Sequence, residues 1–139
     1  MKKILIIFCS LCFGKFASAD SIKLSFDWGD MPICTSGSPN VVSNPVFTLS
    51  GIPKGAKWAY LKLKDKNVPN YNHGGGWVEL KDSIILNTGS FYYKSPCPPT
   101  PGGHIYQWTA YFTEKKTSLS FSGKPKGVIY DTFARKKYP

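Results

Sequence analysis

The stretch "HIYQWTAYFTE", residues 104–114, decides the fold because two kinds of side chain alternate along it. One set is apolar and aromatic behind a leading histidine: His104, Tyr106, Trp108, Ala110 and Phe112. The other set is mostly polar: Ile105, Gln107, Thr109, Tyr111 and Thr113. A period of two residues is typical of a strand with one buried face. We therefore predict a β-strand whose core-facing side begins at His104.

The stretch "WAYLKLKD", residues 58–65, shows the same alternation. One face carries Lys62 and Lys64 and must be exposed to solvent, so the opposite face packs against the core. Asp65 lies at the end of that buried face. If the two strands are antiparallel neighbours, the end of one meets the start of the other. The pattern then predicts that Asp65 and His104 converge at one rim of the core.

Shorter runs rich in β-branched and aromatic residues fill the rest of the chain, separated by proline and glycine turns. They are "SIKLSFDW", "VFTLSG", "GWVEL", "SIILN", "SFYYK" and "TSLSFSG". No window holds a helical stripe, so we predict one all-β domain over residues 20–139, a sandwich or a barrel-like pair of sheets. The C-terminal segment 124–139 matches no pattern from which a role can be read.

The first nineteen residues are typical of a secretory signal peptide. They combine a basic start, "MKK", an apolar run, "ILIIFCSLCFG", and a small-residue cleavage site, "ASA". The apolar run is shorter than the roughly 20 residues that a spanning helix requires. We predict cleavage before Asp20 and a soluble protein that is periplasmic or secreted, with no transmembrane segment after cleavage.

Basic residues dominate the charge of the chain. Removing Lys2, Lys3 and Lys15 with the signal lowers the formal charge from +10 to +7. The lysines are mostly spread singly, so a solvated surface is the simplest interpretation, and a preference for anionic partners is the alternative. With one arginine and no basic stripe interleaved with aromatics, nucleic acid is not an expected partner.

Two cysteines, Cys34 and Cys97, are left after cleavage. In an oxidising compartment an even pair is most simply a disulfide, and this one would close a separation of 63 residues. A catalytic thiol is the weaker alternative, because it would have to stay reduced. The disulfide would pin a proline-rich loop, "PCPPTPGG" at 96–103, either as a pocket wall or merely as a tied-down loop.

Several segments resemble the phosphatidylethanolamine-binding protein (PEBP) family, in the order expected for it. They are "C-x-x-G" at 34–37, "SNPVFTLSGIPKGAKWAYL" at 43–61, Asp65-Lys66-Asn67 with Pro69, and "YYKSPCPPTPGGHIYQW" at 92–108. Exported bacterial members with a matching cysteine pair are the nearest comparison. The resemblance implies an antiparallel β-sandwich of a large and a small sheet, with a small pocket for phosphate and phosphoryl headgroups at one rim.

Carried over by motif, the resemblance implies which residues line the pocket. They are Asp65, Cys97, Pro98, Pro99, His104, Tyr106 and Trp77. The family commonly has a His-Trp pair where this chain has Gly76-Trp77, and Asn67 stands where the family has a second carboxylate. An imidazole is therefore missing from its usual position.

His73 offers a replacement for the missing imidazole. In "HGGG", residues 73–76, the glycines would let the chain turn so that His73 fills the vacated space, with the bare N–H groups of Gly74 and Gly75 facing the ligand. The alternative is an ordinary surface turn with an exposed histidine that has no role. Both interpretations stay open at this point.

These residues predict a non-catalytic binding protein for a small anionic or zwitterionic phosphorylated ligand, without a cofactor or metal. Imidazole and phenol groups can donate hydrogen bonds to a phosphoryl group. Asp65 would orient a histidine or accept an ammonium group. Two further partners stay open: anionic lipid at the periphery, and a protein, since the chain could instead inhibit an extracytoplasmic enzyme through its outer surface.

Two other classes of site are disfavoured. "HGGG" also occurs as an oxyanion-hole motif in lipases and esterases, but the "G-x-S-x-G" nucleophile elbow of that fold is absent from the sequence. His73, His104 and Asp65 have the composition of a two-histidine, one-carboxylate metal site, yet their spacing does not place three ligands on one centre.

Overall fold

The computed structural model describes residues 21–81, 85–99 and 101–138, so the predicted signal peptide lies outside the described residues. These residues form nine strands: β1 Lys23–Asp27, β2 Val41–Ser43, β3 Val46–Ser50, β4 Trp58–Asp65, β5 Gly75–Glu79, β6 Ile85–Leu86, β7 Tyr92–Lys94, β8 His104–Thr113 and β9 Val128–Tyr138. Nowhere in these ranges is there a helix with the length and hydropathy of a membrane span.

The large sheet has four strands in the order β5-β4-β8-β9. β4 and β8 are antiparallel neighbours, with Trp58 opposite Thr113 and Asp65 opposite Tyr106. The two stretches that alternate most clearly in the sequence thus form the centre of this sheet. The expected neighbour relation is confirmed, because each strand has one face that must be buried.

A second layer covers the large sheet. It consists of the three-stranded sheet β1-β3-β6 and the two-stranded ribbon β2-β7. Trp108, which is fully buried, lies between the layers and makes edge-to-face contacts with Phe47 at 5.0 Å and Tyr93 at 4.9 Å between ring centroids. The all-β antiparallel sandwich is therefore confirmed, with aromatic packing from both layers at its centre.

Two segments depart from the prediction. The prediction of a strand at "TSLSFSG", 117–123, is wrong. This segment belongs to a short hairpin connection that has one isolated bridge, between Leu119 and Pro125. The C-terminal segment forms the edge strand β9, which pairs along β8. Most β9 side chains are exposed, so its sequence is under little pressure to alternate.

Cys34 and Cys97 form the predicted disulfide, with Cα atoms 4.6 Å apart. The bond joins the segment before β2 to the proline loop that leads into β8. That loop therefore has a covalent link to the rest of the domain near the start of β8, where His104 is located.

Candidate functional site

Asp65 and His104 meet at one rim of the sandwich. Asp65 ends β4 and His104 begins β8, so antiparallel pairing brings them together. His104 Nδ1 donates a hydrogen bond to Asp65 Oδ2 at 2.7 Å, and Asp65 is only 3% exposed. The predicted convergence of a carboxylate and an imidazole is confirmed.

The second oxygen of Asp65 is also occupied. Its Oδ1 accepts the backbone N–H groups of Asn67 at 2.8 Å and Val68 at 3.1 Å. Burial alone would raise the pKa of Asp65, but the hydrogen bond from His104 and these two amides outweigh it, so the pKa lies below its usual value. Asp65 is consequently a fixed anion at neutral pH.

Asn67, at the position of the family's second carboxylate, has a structural contact. Its side-chain Oδ1 accepts the backbone N–H of Ile105 at 2.9 Å. This bond ties the turn after β4 to the start of β8. The amide thus helps to hold Asp65 and His104 side by side.

His73 is buried, at 3% exposure, so the exposed-turn interpretation is wrong. Its Nδ1 donates to the carbonyl of Lys94 at 2.8 Å, and the N–H of Lys94 donates to the carbonyl of His73 at 2.8 Å. Its ring makes edge contacts with Tyr71 and Tyr106, at 4.7 Å and 5.5 Å between centroids. These contacts hold the imidazole in one orientation.

Burial lowers the pKa of His73 below its usual value, although the hydrogen bond to Lys94 and the charge of Asp65 partly oppose this. The ring is therefore neutral near pH 7, with the proton on Nδ1 that it donates to Lys94. Burial, followed by the charge of Asp65 and a hydrogen bond to Asp65, raises the pKa of Tyr106, so its phenol stays protonated and donates to that carboxylate.

Asp65, His73 and Tyr106 line a common cavity of about 180 Å³. Its lining consists of Gly37, Pro39, Asp65, Val68, Tyr71, His73, Cys97, Pro98, Pro99 and Tyr106. The volume is below the usual range for drug-sized ligands, so the cavity suits a small group such as a phosphate or a short headgroup. His104 acts on this cavity through Asp65, and we call the cavity the rim pocket.

No family model matches the sequence, and no curated protein matches it. A solved structure of a PEBP homolog from Chlamydia trachomatis matches it with a TM-score of 0.57, covering 86% of this chain and 97% of that one. The fold is PEBP-like. The two sequences are 17% identical, so the likeness concerns the fold, and any function must be argued from the site itself.

Within this PEBP-like sandwich, four predicted ligand contacts lie outside the lining of the rim pocket: His104, which reaches it only through Asp65, and Gly74, Gly75 and Trp77. Trp77 packs against Tyr60, with 5.2 Å between ring centroids, and lines none of the pocket. The N–H of Gly74 donates to Asn72 Oδ1 at 3.0 Å, and Gly75 pairs with Lys62 in the large sheet. Neither glycine lines the rim pocket, so the prediction that their N–H groups face its ligand is corrected.

Four lining residues were missed by the sequence analysis: Gly37, Pro39, Val68 and Tyr71. Tyr71 had a signal, since it lies two residues before His73 and alternation places both on one side of an extended chain. Gly37 is the last residue of the "C-x-x-G" motif. Nothing in the local sequence marks Pro39 or Val68.

Proposed function

We propose that the rim pocket binds a small phosphorylated ligand of the phospholipid-headgroup type, and that the protein is an exported, non-catalytic binding protein. One observation carries the proposal: an anionic carboxylate, Asp65, and a buried imidazole, His73, line one small cavity. A zwitterion such as phosphoethanolamine offers an ammonium group for the first and a phosphoryl group for the second.

The phosphoryl end of the ligand requires hydrogen-bond donors. His73 Nε2 becomes a donor when an incoming anion favours the imidazolium form, and the Tyr106 phenol becomes another when the ligand replaces Asp65 as its acceptor. Lys94 adds positive charge close by, with its Nζ 5.4 Å from the centre of the Tyr71 ring. The ammonium end would contact Asp65, which otherwise repels an anion.

The non-catalytic and exported parts of the proposal are supported by the cysteines. Cys97 lines the pocket, but its sulfur is held in the disulfide and so has no thiolate character. A disulfide also fits a protein that resides in an oxidising compartment. The signal-like sequence of residues 1–19 points in the same direction.

The decisive test of the proposed function is replacement of His104. His104→Ala is expected to weaken binding of phosphoethanolamine by about tenfold or more, because Asp65 loses a charge-assisted hydrogen bond that fixes its position. His104→Asn, whose amide can still donate to Asp65, should recover most of the affinity. Isothermal titration calorimetry measures affinity, and thermal unfolding checks that each variant is folded.

The matched control is Gln107→Ala, on the same strand but outside the pocket lining, which should bind like the parent protein. If folded His104→Ala retained full affinity, the pocket would not be the binding site. The alternative function, a protein-interaction module or inhibitor that acts through its outer surface, would then be favoured.

Anion binding is expected to tighten as the pH falls. Burial depresses the pKa of His73 in the free protein, whereas a bound anion stabilises the imidazolium, so binding takes up a proton. Of the charged groups acting on this ring, Asp65 favours the cation and Lys94 opposes it. Sulfate is the suitable probe, because its own charge is constant between about pH 5 and pH 8 while histidine titrates.

Calorimetry across this pH range should show sulfate binding more tightly at the acid end. His73→Gln should remove the pH dependence, since glutamine cannot be protonated in this range. Sulfate affinity that is constant or increases with pH in the parent protein would contradict a direct role for His73.

A further inference from the structure

The connection between β8 and β9 is an ordered hairpin, residues 114–127, which we call the lysine hairpin. Four backbone and side-chain bonds link its two arms: Ser120 N to Lys124 O, Gly123 N to Ser120 O, Lys126 N to Ser118 O, and Thr117 Oγ1 to Lys126 O. Lys62 Nζ also donates to the carbonyl of Ser122 and so anchors the tip to β4. The tip is thus held in a defined position by bonds on both sides.

The tip presents an apolar side chain to solvent. Phe121 has a relative exposure of 111%, and Leu119 near it is 42% exposed. Burying a phenylalanine side chain is favourable. An ordered segment that exposes Phe121 fully to solvent therefore points to a binding partner that buries this side chain.

Basic residues surround this tip. Lys115 and Lys116 precede it and Lys124 and Lys126 follow it, whereas the one acidic residue of the segment, Glu114, lies at its base. All four lysines are exposed. Two of them have short-range partners, since Lys116 lies over the Trp58 ring at 4.3 Å and Lys124 faces Asp131 at 3.4 Å.

We propose that the lysine hairpin docks the protein on an anionic lipid surface, with Phe121 inserted at the boundary between headgroups and acyl chains. Lysines of one sign around an apolar tip complement a negatively charged bilayer. Because several backbone groups of the hairpin are bonded within it or to Lys62, the tip can enter the interface with fewer hydrogen bonds to lose. A protruding tip also suits a deformable lipid surface better than a preformed protein pocket.

The lysine hairpin lies beside the rim pocket. A cleft of about 570 Å³ separates it from the segment 69–75, and Tyr71 lines both this cleft and the rim pocket. A bilayer held by the hairpin would therefore lie close to the rim pocket. Any role of the rim pocket at the bilayer rests on the proposed function, whereas docking by the lysine hairpin does not.

Co-sedimentation with vesicles tests the proposal. The purified protein should bind vesicles of mixed phosphatidylglycerol and phosphatidylcholine, and bind poorly to phosphatidylcholine alone. Phe121→Ser should weaken binding to the mixed vesicles by about tenfold, as loss of one buried aromatic side chain implies. The double variant Lys115→Gln, Lys126→Gln should weaken it by a similar or larger factor, and added salt should reduce binding by the parent protein.

Phe133→Ser is the matched control, because Phe133 is a half-exposed aromatic residue on β9 outside the hairpin, and it should bind like the parent protein. Equal binding by Phe121→Ser, or equal binding to both vesicle types, would overturn the proposal. Failure to bind any vesicle would also overturn it and would favour a protein as the occupant of the tip.

Binding of soluble phosphoethanolamine distinguishes docking by the lysine hairpin from ligand binding in the rim pocket. Phe121→Ser should bind phosphoethanolamine like the parent protein, and His104→Ala should still sediment with mixed vesicles. Loss of vesicle binding in His104→Ala would overturn docking by the hairpin alone.

Discussion

Replacing Cys34 and Cys97 together by serine is expected to lower the free energy of unfolding by roughly 4 kcal/mol. The disulfide joins residues separated by 63 positions, so its removal returns considerable conformational freedom to the unfolded chain. Serine is similar in size to cysteine, and the folded contacts should change little. Urea unfolding at equilibrium, followed by tryptophan fluorescence, measures the difference between parent and double variant.

Reductant provides the control for this experiment. It should destabilise the parent protein to a level near that of the double variant and leave the double variant unchanged. Equal stability of the two proteins would show that the unfolded chain gains no freedom when the bond is lost.

The same variants test the proline loop as a wall of the rim pocket. Cys97 and the prolines on either side of it are buried or line the pocket, and the disulfide links them to the segment before β2. We expect weaker binding of phosphoethanolamine when the bond is reduced. Equal affinity with and without reductant would count against this loop as a pocket wall.

The centre of the fold was predictable because burial leaves a mark in the sequence. β4 and β8 each have one face in the core, so apolar residues recur with period two, and their antiparallel pairing places Asp65 against His104. The prediction needed only the alternation and the assumption that the strands are neighbours. A slip of one residue would have turned Asp65 to the outer face.

The edges of the fold were not predictable in the same way. β9 is an edge strand with mostly exposed side chains, so it carries no alternation, and it was left without a role. The segment 117–123 does alternate, but turn bonds within the lysine hairpin fix its conformation, and no second strand pairs along it. Alternation predicts a strand only where a partner and a core exist.

The rim pocket was predictable in part. Motif resemblance identified Asp65, Cys97, Pro98, Pro99 and Tyr106, which line the cavity, and also His104, which reaches it only through Asp65. The inward position of His73 depends on two hydrogen bonds with the backbone of Lys94 on β7, one from the His73 ring and one to the His73 carbonyl, and local sequence does not reveal this contact between distant segments. Those long-range bonds also explain why the following glycines were misinterpreted.

Gly74 and Gly75 are glycines for different structural reasons, and substitution of each by alanine can distinguish these reasons. Gly74 has a positive φ of 81°, a conformation that favours glycine, with nothing within 4 Å of an added Cβ. Gly75 lies directly against the backbone of β4, where an added Cβ would overlap the carbonyl oxygen of Leu61 and approach the Cα of Lys62 at 2.9 Å. Backbone cannot rotate away as a side chain can.

Gly75→Ala is therefore expected to lower the free energy of unfolding by about 3 kcal/mol or more, the upper range for forcing atoms into a packed site. Gly74→Ala, the matched control, should lower it by only about 1–2 kcal/mol, the strain of a left-handed alanine. Urea unfolding of both variants gives the comparison. If Gly74→Ala proved the more damaging, the local turn at His73, and not the close pairing of β4 with β5, would be the reason for glycine in this stretch.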